Sequence, residues 1–230
     1  MEITAKTTIY NHDSRFLNEI EDCSVDFVIT SPPFNIGHKY MSYHDSLDGE
    51  GFDSLYTTVI RSISRVLKDD GVFIIDIADL IVMEKEIVYG AEFVKEKALL
   101  SNLVFICSIP YIAIEGYDKK MKSRLSRDNC KSKFHSSCEQ ILVFGKQCTN
   151  FDLENSIALK SSYTYSMDRD SAFWPEDLIL DVLKPFDLKG KLLLDPFMGS
   201  GTIGRISIEK GACFVGYDVD KMTLKKYGWI

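Results

Sequence analysis

The sequence predicts an α/β fold with a mostly parallel sheet and helices on both of its faces, and three observations support this. Short apolar runs, with centres such as FVI, VFII, LLL and FVG, alternate with longer amphipathic stretches. These runs are apolar at consecutive positions, which is typical of strands buried on both faces of a parallel sheet. The length of 230 residues, with 45% apolar and 27% charged residues, suits one globular domain. We therefore expect a single domain over residues 1–230.

The apolar runs and the helical periodicities assign the individual elements. Seven segments are predicted as strands: Thr7–Tyr10, Val25–Thr30, Val72–Asp76, Leu103–Ser108, Gln140–Gly145, Leu192–Asp195 and Cys213–Asp218. Five are predicted as helices: Ser14–Ile20, Phe52–Leu67, Val88–Ser101, Pro175–Leu183 and Thr202–Lys210. The polar stretches 115–138 and 147–170 are predicted as loops or insertions within the domain.

Charge is distributed unevenly along the chain. The net charge is −7, yet residues 118–135 carry +5, so the remainder carries about −12. An acidic body with one basic segment suits an enzyme that touches a polyanion at one edge, and an ordinary solvated loop is the alternative. The basic side chains of this segment are Lys119, Lys120, Lys122, Arg124, Arg127, Lys131 and Lys133.

Other residue patterns argue against several classes of protein. No apolar run reaches the roughly 18–20 residues that span a bilayer, and the first residues lack the pattern of a secretion signal. The six cysteines form no Cys-x-x-Cys pair, and the four histidines form no cluster. We therefore expect a cytoplasmic protein with free thiols, no metal site and no membrane partner.

A glycine-rich turn near the C-terminus predicts a nucleotide-like ligand. A strand ends at Asp195, the turn Gly199–Gly204 follows, and a second strand ends at Asp218. The second carboxylate can accept hydrogen bonds from both hydroxyls of a ribose. Asp195 would repel a pyrophosphate but would attract a cationic ligand. S-adenosylmethionine, which has a sulfonium, an amine, a ribose and no phosphate, fits this pattern, while a glycine turn without a ligand is the alternative.

A second motif, Ser31-Pro32-Pro33-Phe34, follows the buried strand that ends at Thr30. Two prolines fix the backbone and remove two donors, so neighbouring carbonyls can accept hydrogen bonds from a ligand. Ser31 adds an acceptor, and Phe34 offers a flat face on which a base can stack. These features suit the exocyclic amine of an unstacked nucleobase, and a rigid turn is the alternative.

Together, TSPPFN and DPFMGSGT, in that order, resemble the motifs of DNA amino-methyltransferases with the β-type arrangement. The resemblance implies a circularly permuted Rossmann-like methyltransferase fold with a seven-stranded sheet. It implies Ser31–Phe34 as the catalytic tetrapeptide and a flipped base in duplex DNA as the substrate. It also implies S-adenosyl-L-methionine as the cofactor, bound by Asp13, Ser14, Phe173, Pro175, Asp195, Pro196, Phe197, Gly199, Ser200, Gly201, Thr202 and Asp218.

The target base is less closely determined than the reaction. Ser at the first tetrapeptide position is typical of cytosine-N4 enzymes in this family, so N4 of cytosine is the first choice and N6 of adenine the second. Methylation of RNA or of a glutamine side chain, a nicotinamide-dependent oxidoreductase and a non-catalytic DNA-binding relative are further alternatives.

The segment expected to recognise the DNA sequence is short. Only residues 145–172 separate the strand before it from the Phe173 segment, whereas the family normally has a sizeable recognition region there. The basic segment is therefore predicted to contact phosphates. A second subunit or a partner specificity protein could supply the remaining surface, as could occur in a restriction–modification system.

Overall fold

A computed structural model describes residues 6–35, 40–83, 86–114, 138–146, 157–164, 167–168, 171–172 and 174–230. Its strands are β1 Thr7–Tyr10, β2 Val25–Thr30, β3 Leu67–Ala78, β4 Leu80–Met83, β5 Glu86–Tyr89, β6 Val104–Ile114, β7 Cys138–Gly145, β8 Ser162–Thr164, β9 Met167–Asp168, β10 Ser171–Ala172, β11 Leu192–Asp195 and β12 Cys213–Tyr217. Its helices are α1 Gly49–Val66, α2 Gly90–Leu100, α3 Glu176–Leu183, α4 Thr202–Glu209 and α5 Lys221–Lys226.

The main sheet has the strand order β1-β12-β11-β2-β3-β7-β6-β8. Strand β7 is antiparallel to both of its neighbours, and the other pairs are parallel. The predicted mostly parallel α/β sheet is therefore confirmed, although the described residues form eight strands in it rather than seven. The additional strand, β8, pairs with the edge of β6 inside a stretch that the sequence predicts as a loop.

Helices cover both faces of the sheet, as the apolar strand centres predict. Helices α1 and α2 pack on one face with side chains such as Ile60 and Phe93. Helices α3, α4 and α5 pack on the other face, where Leu178, Ile203 and Leu224 lie in a second buried cluster. Burial on both faces explains why β2 is buried at all six positions.

The local sequence determines where helix α1 begins and where it ends. Asp48 caps its N-terminus by accepting a hydrogen bond from the Gly51 amide at 2.7 Å. The helix buries one face and ends at Val66, and the chain turns directly into extended backbone at Leu67. As a result, β3 begins five residues earlier than its most apolar run predicts.

The predicted helix at Ser14–Ile20 is wrong. The residues form turns instead, and Leu17 has a positive φ of 46°. The guanidinium of Arg65 donates hydrogen bonds to the carbonyls of Phe16, Leu17 and Ile20. Because these carbonyls bind a distant side chain, they do not form an i to i+4 ladder.

The sheet brings the two sequence motifs to one edge. Strands β2, β11 and β12 are parallel neighbours, so their carboxyl ends lie together. Strand β1, from the N-terminal part of the chain, pairs with β12 from the C-terminal part, as the predicted permuted order requires.

Candidate active site

A cavity of about 350 Å³ opens at the carboxyl edge of the sheet. It lies between the loop that follows β2 and the glycine turn that follows β11. Thirteen of the predicted catalytic and cofactor residues line it: Asp13, Ser14, Ser31, Pro32, Pro33, Phe34, Asp195, Pro196, Phe197, Gly199, Ser200, Thr202 and Asp218. The two motifs, more than 160 residues apart in sequence, therefore face one another across a single cavity.

The tetrapeptide is held by contacts on two sides. The hydroxyl of Tyr56 in α1 donates to the Pro33 carbonyl at 3.0 Å. The Ser31 hydroxyl donates to Oδ2 of Asp76, at the end of β3, at 3.3 Å. A Ser31 oxygen whose proton points to a carboxylate keeps its lone pairs for an incoming donor. Among the described residues, no group donates to the Pro32 carbonyl, so it can accept from a ligand as well.

Asp195 joins the two motifs directly. Its carboxyl group accepts a hydrogen bond from Thr30 Oγ1 at 2.7 Å, and from the Phe197 amide at 3.1 Å. Asp195 is buried and, within the described part of the chain, has no ion-pair partner. Burial raises the pKa of Asp195 to about 7, and the nearby Asp218 carboxylate contributes to this increase. A cationic ligand would reverse this effect.

Asp218 holds the glycine turn against the end of β12. Its two carboxylate oxygens accept from the amides of Gly199 at 2.8 Å and Asp220 at 2.7 Å. Burial raises the pKa of Asp218 to about 6, although these two hydrogen bonds oppose the increase. Each oxygen can accept a further hydrogen bond, so the side chain can still bind the hydroxyls of a ribose.

The glycine turn is fixed from behind by two side chains. The Ser200 carbonyl accepts hydrogen bonds from Trp229 Nε1 at 2.9 Å and from Arg205 Nη1 at 2.8 Å. Gly201 has a φ of 75°, and a Cβ at this position would overlap the indole of Trp229. Gly201 does not itself line the cavity, so its predicted contact with the cofactor stays a prediction.

Asp13 and Ser14, which the resemblance assigns to the cofactor's adenine, also line the cavity. Asp13 forms an ion pair with Arg15 at 2.6 Å, and hydrogen bonding to Arg15 helps to lower the pKa of Asp13 despite its partial burial. Ser14 is buried.

Residues 40–47 also line the cavity, which the sequence analysis does not predict. Residues 40–47 contribute lining side chains from Tyr40, Tyr43, Asp45 and Leu47. The segment is attached to the cofactor side because Ser42 Oγ donates to Asp220 at 2.5 Å. The local sequence contains no motif that predicts this segment, because the contact joins positions 178 residues apart.

Asp76 and Glu139 were also missed as site residues. Glu139 lines the cavity, and Asp76 lies directly behind Ser31. Both stand at the ends of strongly apolar strands, VFIID and EQILVF, and a carboxylate in such a position is a usable sequence signal.

The remaining predicted site residues either lie outside the cavity or lie outside the described residues. Pro175 lines a neighbouring groove with Lys160 and Arg205, while the adjacent Trp174 lines both that groove and the cavity. Phe173 and all seven basic residues of the segment 118–135 lie outside the described residues. In the described part of the chain, no three His, Cys, Asp or Glu side chains are grouped as metal ligands would be. Nor does the same part contain a helix long and apolar enough to cross a membrane.

Comparison with known proteins decides the family. The sequence profile of a DNA methylase family of N6 and N4 methyltransferases matches residues 25–227. This chain belongs to that family. The resemblance predicted from TSPPFN and DPFMGSGT is thereby confirmed, and so, at the level of the family, is dependence on S-adenosylmethionine.

Individual members of the family differ in how much of their length the chain covers. Over 202 residues it is 28% identical to the Type II methyltransferase M.MwoI of Methanothermobacter wolfeii, covering 81% of the chain but only 28% of that protein. It is 23% identical to the Type II methyltransferase M.MjaI of Methanocaldococcus jannaschii, covering 96% of the chain and 89% of that protein.

Solved structures of other methyltransferases share the fold. PvuII DNA methyltransferase, which is cytosine-N4-specific, superposes with a TM-score of 0.71 at 14% identity, covering 98% of this chain and 86% of that one. A complex of M1.HpyAVI with S-adenosylmethionine superposes with a TM-score of 0.59 at 16% identity, covering 96% and 97% of the two chains.

The cavity of this methylase fits the family cofactor. Two acidic side chains with raised pKa values, Asp195 and Asp218, line it, and within the described residues no Lys or Arg forms an ion pair with either. A ligand that carries an amine and a sulfonium supplies the missing positive charge. A pyrophosphate would meet two carboxylates, so the nicotinamide alternative is not supported.

Proposed function

We propose that this chain methylates the exocyclic amine of a flipped base in double-stranded DNA, with N4 of cytosine as the target and S-adenosyl-L-methionine as the cofactor. The observation that carries the proposal is the shared cavity, in which Ser31 faces Asp195 and Asp218. Asp195 and Asp218 would hold the charged and ribose parts of the cofactor, which supplies an activated methyl group when bound. Asp13 and Ser14 would contact its adenine.

The tetrapeptide accounts for activation of the target amine. The lone pair of an exocyclic amine is delocalised into the base, so the nitrogen is a poor nucleophile until it becomes tetrahedral. Ser31 Oγ and the Pro32 carbonyl would accept the two N–H groups and favour that geometry. Phe34 would stack on the base, which is worth roughly 1–3 kcal/mol. This contact offsets part of the few kcal/mol that extrusion from the duplex costs.

Cytosine is preferred over adenine because Ser31 stands where adenine-N6 enzymes of the family usually have Asp. The family contains both specificities, so adenine-N6 is the second candidate. Mass spectrometry of nucleosides from duplex DNA treated with the enzyme separates 4-methylcytosine from 6-methyladenine. We expect 4-methylcytosine with the wild type and strongly reduced amounts with Ser31→Ala.

The same experiment separates the other substrates. Transfer of tritium from labelled cofactor would be measured in parallel with duplex DNA, RNA and a glutamine-containing protein mixture. Label in RNA or protein but not in DNA would contradict the proposal. A protein that binds S-adenosylhomocysteine in a thermal-shift titration but labels no substrate would instead indicate a non-catalytic relative.

Recognition of a DNA sequence would need more surface than the short segment 145–172 provides. Part of it forms β8 at the edge of the main sheet and is therefore structural. We infer that phosphate contacts come from the basic segment and that a second copy or a specificity protein completes recognition. The size of the complex on duplex DNA, measured by light scattering, tests this.

A further inference from the structure

A buried acidic cluster lies behind Ser31. It consists of Asp76 at the end of β3, Tyr111 in β6 and Glu139 near the start of β7, which together are named the acid triad. All three side chains are at most 1% exposed. The Tyr111 hydroxyl lies 3.0 Å from Asp76 Oδ1 and 2.5 Å from Glu139 Oε2, and Ser31 Oγ lies 3.3 Å from Asp76 Oδ2.

The geometry limits how many protons the acid triad holds. A phenol has one proton, so Tyr111 can donate to only one of the two carboxyl groups. The other contact is a hydrogen bond only if that carboxyl group is itself protonated and donates to the phenol oxygen. Two ionised carboxylates in hydrogen-bonding distance of one buried oxygen would also repel each other at low dielectric.

Among the residues that the structure describes, the groups around Asp76 supply no positive charge to offset that repulsion. Within the described residues, Asp76 is faced by Glu139 from β7, Tyr111 from β6, Trp174 from the segment before α3 and Ser31 from the end of β2. Burial and the Glu139 charge raise the pKa of Asp76 well above its usual value, while hydrogen bonds from Tyr111 and Ser31 oppose the shift.

We infer that the acid triad acts as one unit with a single negative charge, in which the two carboxyl groups share one proton and the phenol keeps its own, and that it accepts, through Ser31, the proton that the target amine releases on methylation. The inference rests on the proposed function for its second part only. Asp76 and Tyr111 are then positioning residues that act through Ser31.

The proton transfer balances. Once methylated, the amine nitrogen bears a positive charge, and one N–H bond breaks with its electron pair remaining on nitrogen. That proton passes to Ser31 Oγ while the Ser31 proton passes to Asp76 Oδ2. The acid triad changes from one negative charge to neutral, and the proton leaves to solvent after the product is released.

Infrared difference spectroscopy of the protein without cofactor or DNA tests the proton count. The measurement is made at mildly alkaline pH, above the pKa of about 7 of Asp195. We expect the carbonyl stretch of a protonated carboxyl group in the wild type. The band should disappear in Asp76→Asn and in Glu139→Gln, since a single buried carboxyl group ionises with Tyr111 as donor. It should persist, at a shifted frequency, in Tyr111→Phe, which keeps both carboxyl groups. A wild type without the band overturns the inference.

Kinetics of the same variants test the link to Ser31. Each amide variant leaves one carboxylate in the acid triad, but only Glu139→Gln leaves it beside Ser31. Asp76→Asn should therefore lower kcat by on the order of 10²-fold and remove the acid limb of its pH profile, with the KM for the cofactor unchanged. Glu139→Gln, which keeps a carboxylate beside Ser31, should lower kcat less than Asp76→Asn does and should keep the acid limb. Equal losses of kcat in the two variants, at equal thermal stability, would mean a structural role alone.

The two measurements fail independently. If the wild type methylates no DNA, the proposed function is wrong, while the infrared bands still decide the proton count. If the wild type is active and has no protonated carboxyl band, the proposed function stands and the shared proton does not.

Discussion

The charge of Asp195 should depend on the ligand that occupies the cavity. Its pKa of about 7 lies above the ordinary value of 3.8, so the folded state binds a proton that the unfolded state has lost between these values. Stability of the unliganded protein therefore falls as pH rises through this window, by up to about 1.4 kcal/mol per pH unit. A cationic ligand favours the ionised form and should restore this loss.

Thermal-shift titration with two ligands measures this effect. S-adenosylmethionine carries the sulfonium charge and S-adenosylhomocysteine does not. We expect the extra stabilisation by S-adenosylmethionine to grow between about pH 5 and 8. Asp195→Asn, which cannot ionise, should leave only the change with pH that Asp218, with a pKa of about 6, contributes. Parallel curves for the two ligands with the wild type would show that Asp195 does not sense the sulfonium.

Asp218 and Ser31 should separate binding from turnover. Asp218→Ala removes the carboxylate that is proposed to accept hydrogen bonds from the ribose of the cofactor. We therefore expect cofactor affinity, measured by calorimetry, to fall by roughly tenfold to a hundredfold. Ser31→Ala should leave that affinity unchanged and lower kcat by on the order of 10²-fold. Reversed effects would exchange the roles assigned to the two ends of the cavity.

At the scale of elements, the glycine turn offers a matched pair of substitutions. Gly199 and Gly201 both have positive φ values, of 49° and 75°. A Cβ at Gly199 meets nothing within 4 Å, whereas a Cβ at Gly201 overlaps Trp229. Gly199→Ala should therefore cost about 1–2 kcal/mol of unfolding free energy from backbone strain alone. Gly201→Ala should cost roughly 1–3 kcal/mol more, measured by urea denaturation.

Elements were predictable from sequence where local pattern and tertiary environment agree. Strands β2 and β11 have the bounds that their apolar runs indicate, because burial on both faces is visible as a continuous run. The failures have non-local causes. Residues 14–20 have a helical pattern, but Arg65 binds their carbonyls. Strand β8 has only three residues and is defined by its pairing with β6, which its own sequence does not encode.

The residues of the candidate site also fall into those that the sequence predicts and those that it does not. Ser31–Phe34, Asp195 and Asp218 were predictable because each belongs to a short contiguous motif at a strand end. The acid triad was not, because its residues lie on three different strands, and the segment 40–47 was not, because its position depends on the distant contact between Ser42 and Asp220. The position of the acid triad follows from the strand order, in which β2 is followed by β3, β7 and β6.

At the scale of the whole molecule, the charge distribution determines how an acidic protein can bind DNA. The chain has a net charge of −7, and the basic segment 118–135 concentrates +5 in eighteen residues. Binding to a polyanion should therefore depend on this segment and should weaken steeply with salt, because each phosphate that the protein binds releases counterions. Long-range repulsion by the acidic body would favour approach through this segment.

Replacing Lys119, Lys120, Lys122 and Arg124 with Ala tests this dependence. We expect weaker binding to duplex DNA and a smaller slope of log K against log salt, by about 0.9 for each phosphate that the variant no longer neutralises. The matched control removes four positive charges elsewhere, with Lys6, Lys184, Lys189 and Lys210 replaced by Ala. These four are exposed and lie towards the edge of the sheet opposite the cavity. Equal slopes for the two variants, measured by fluorescence anisotropy, would assign the salt dependence to net charge and not to the segment.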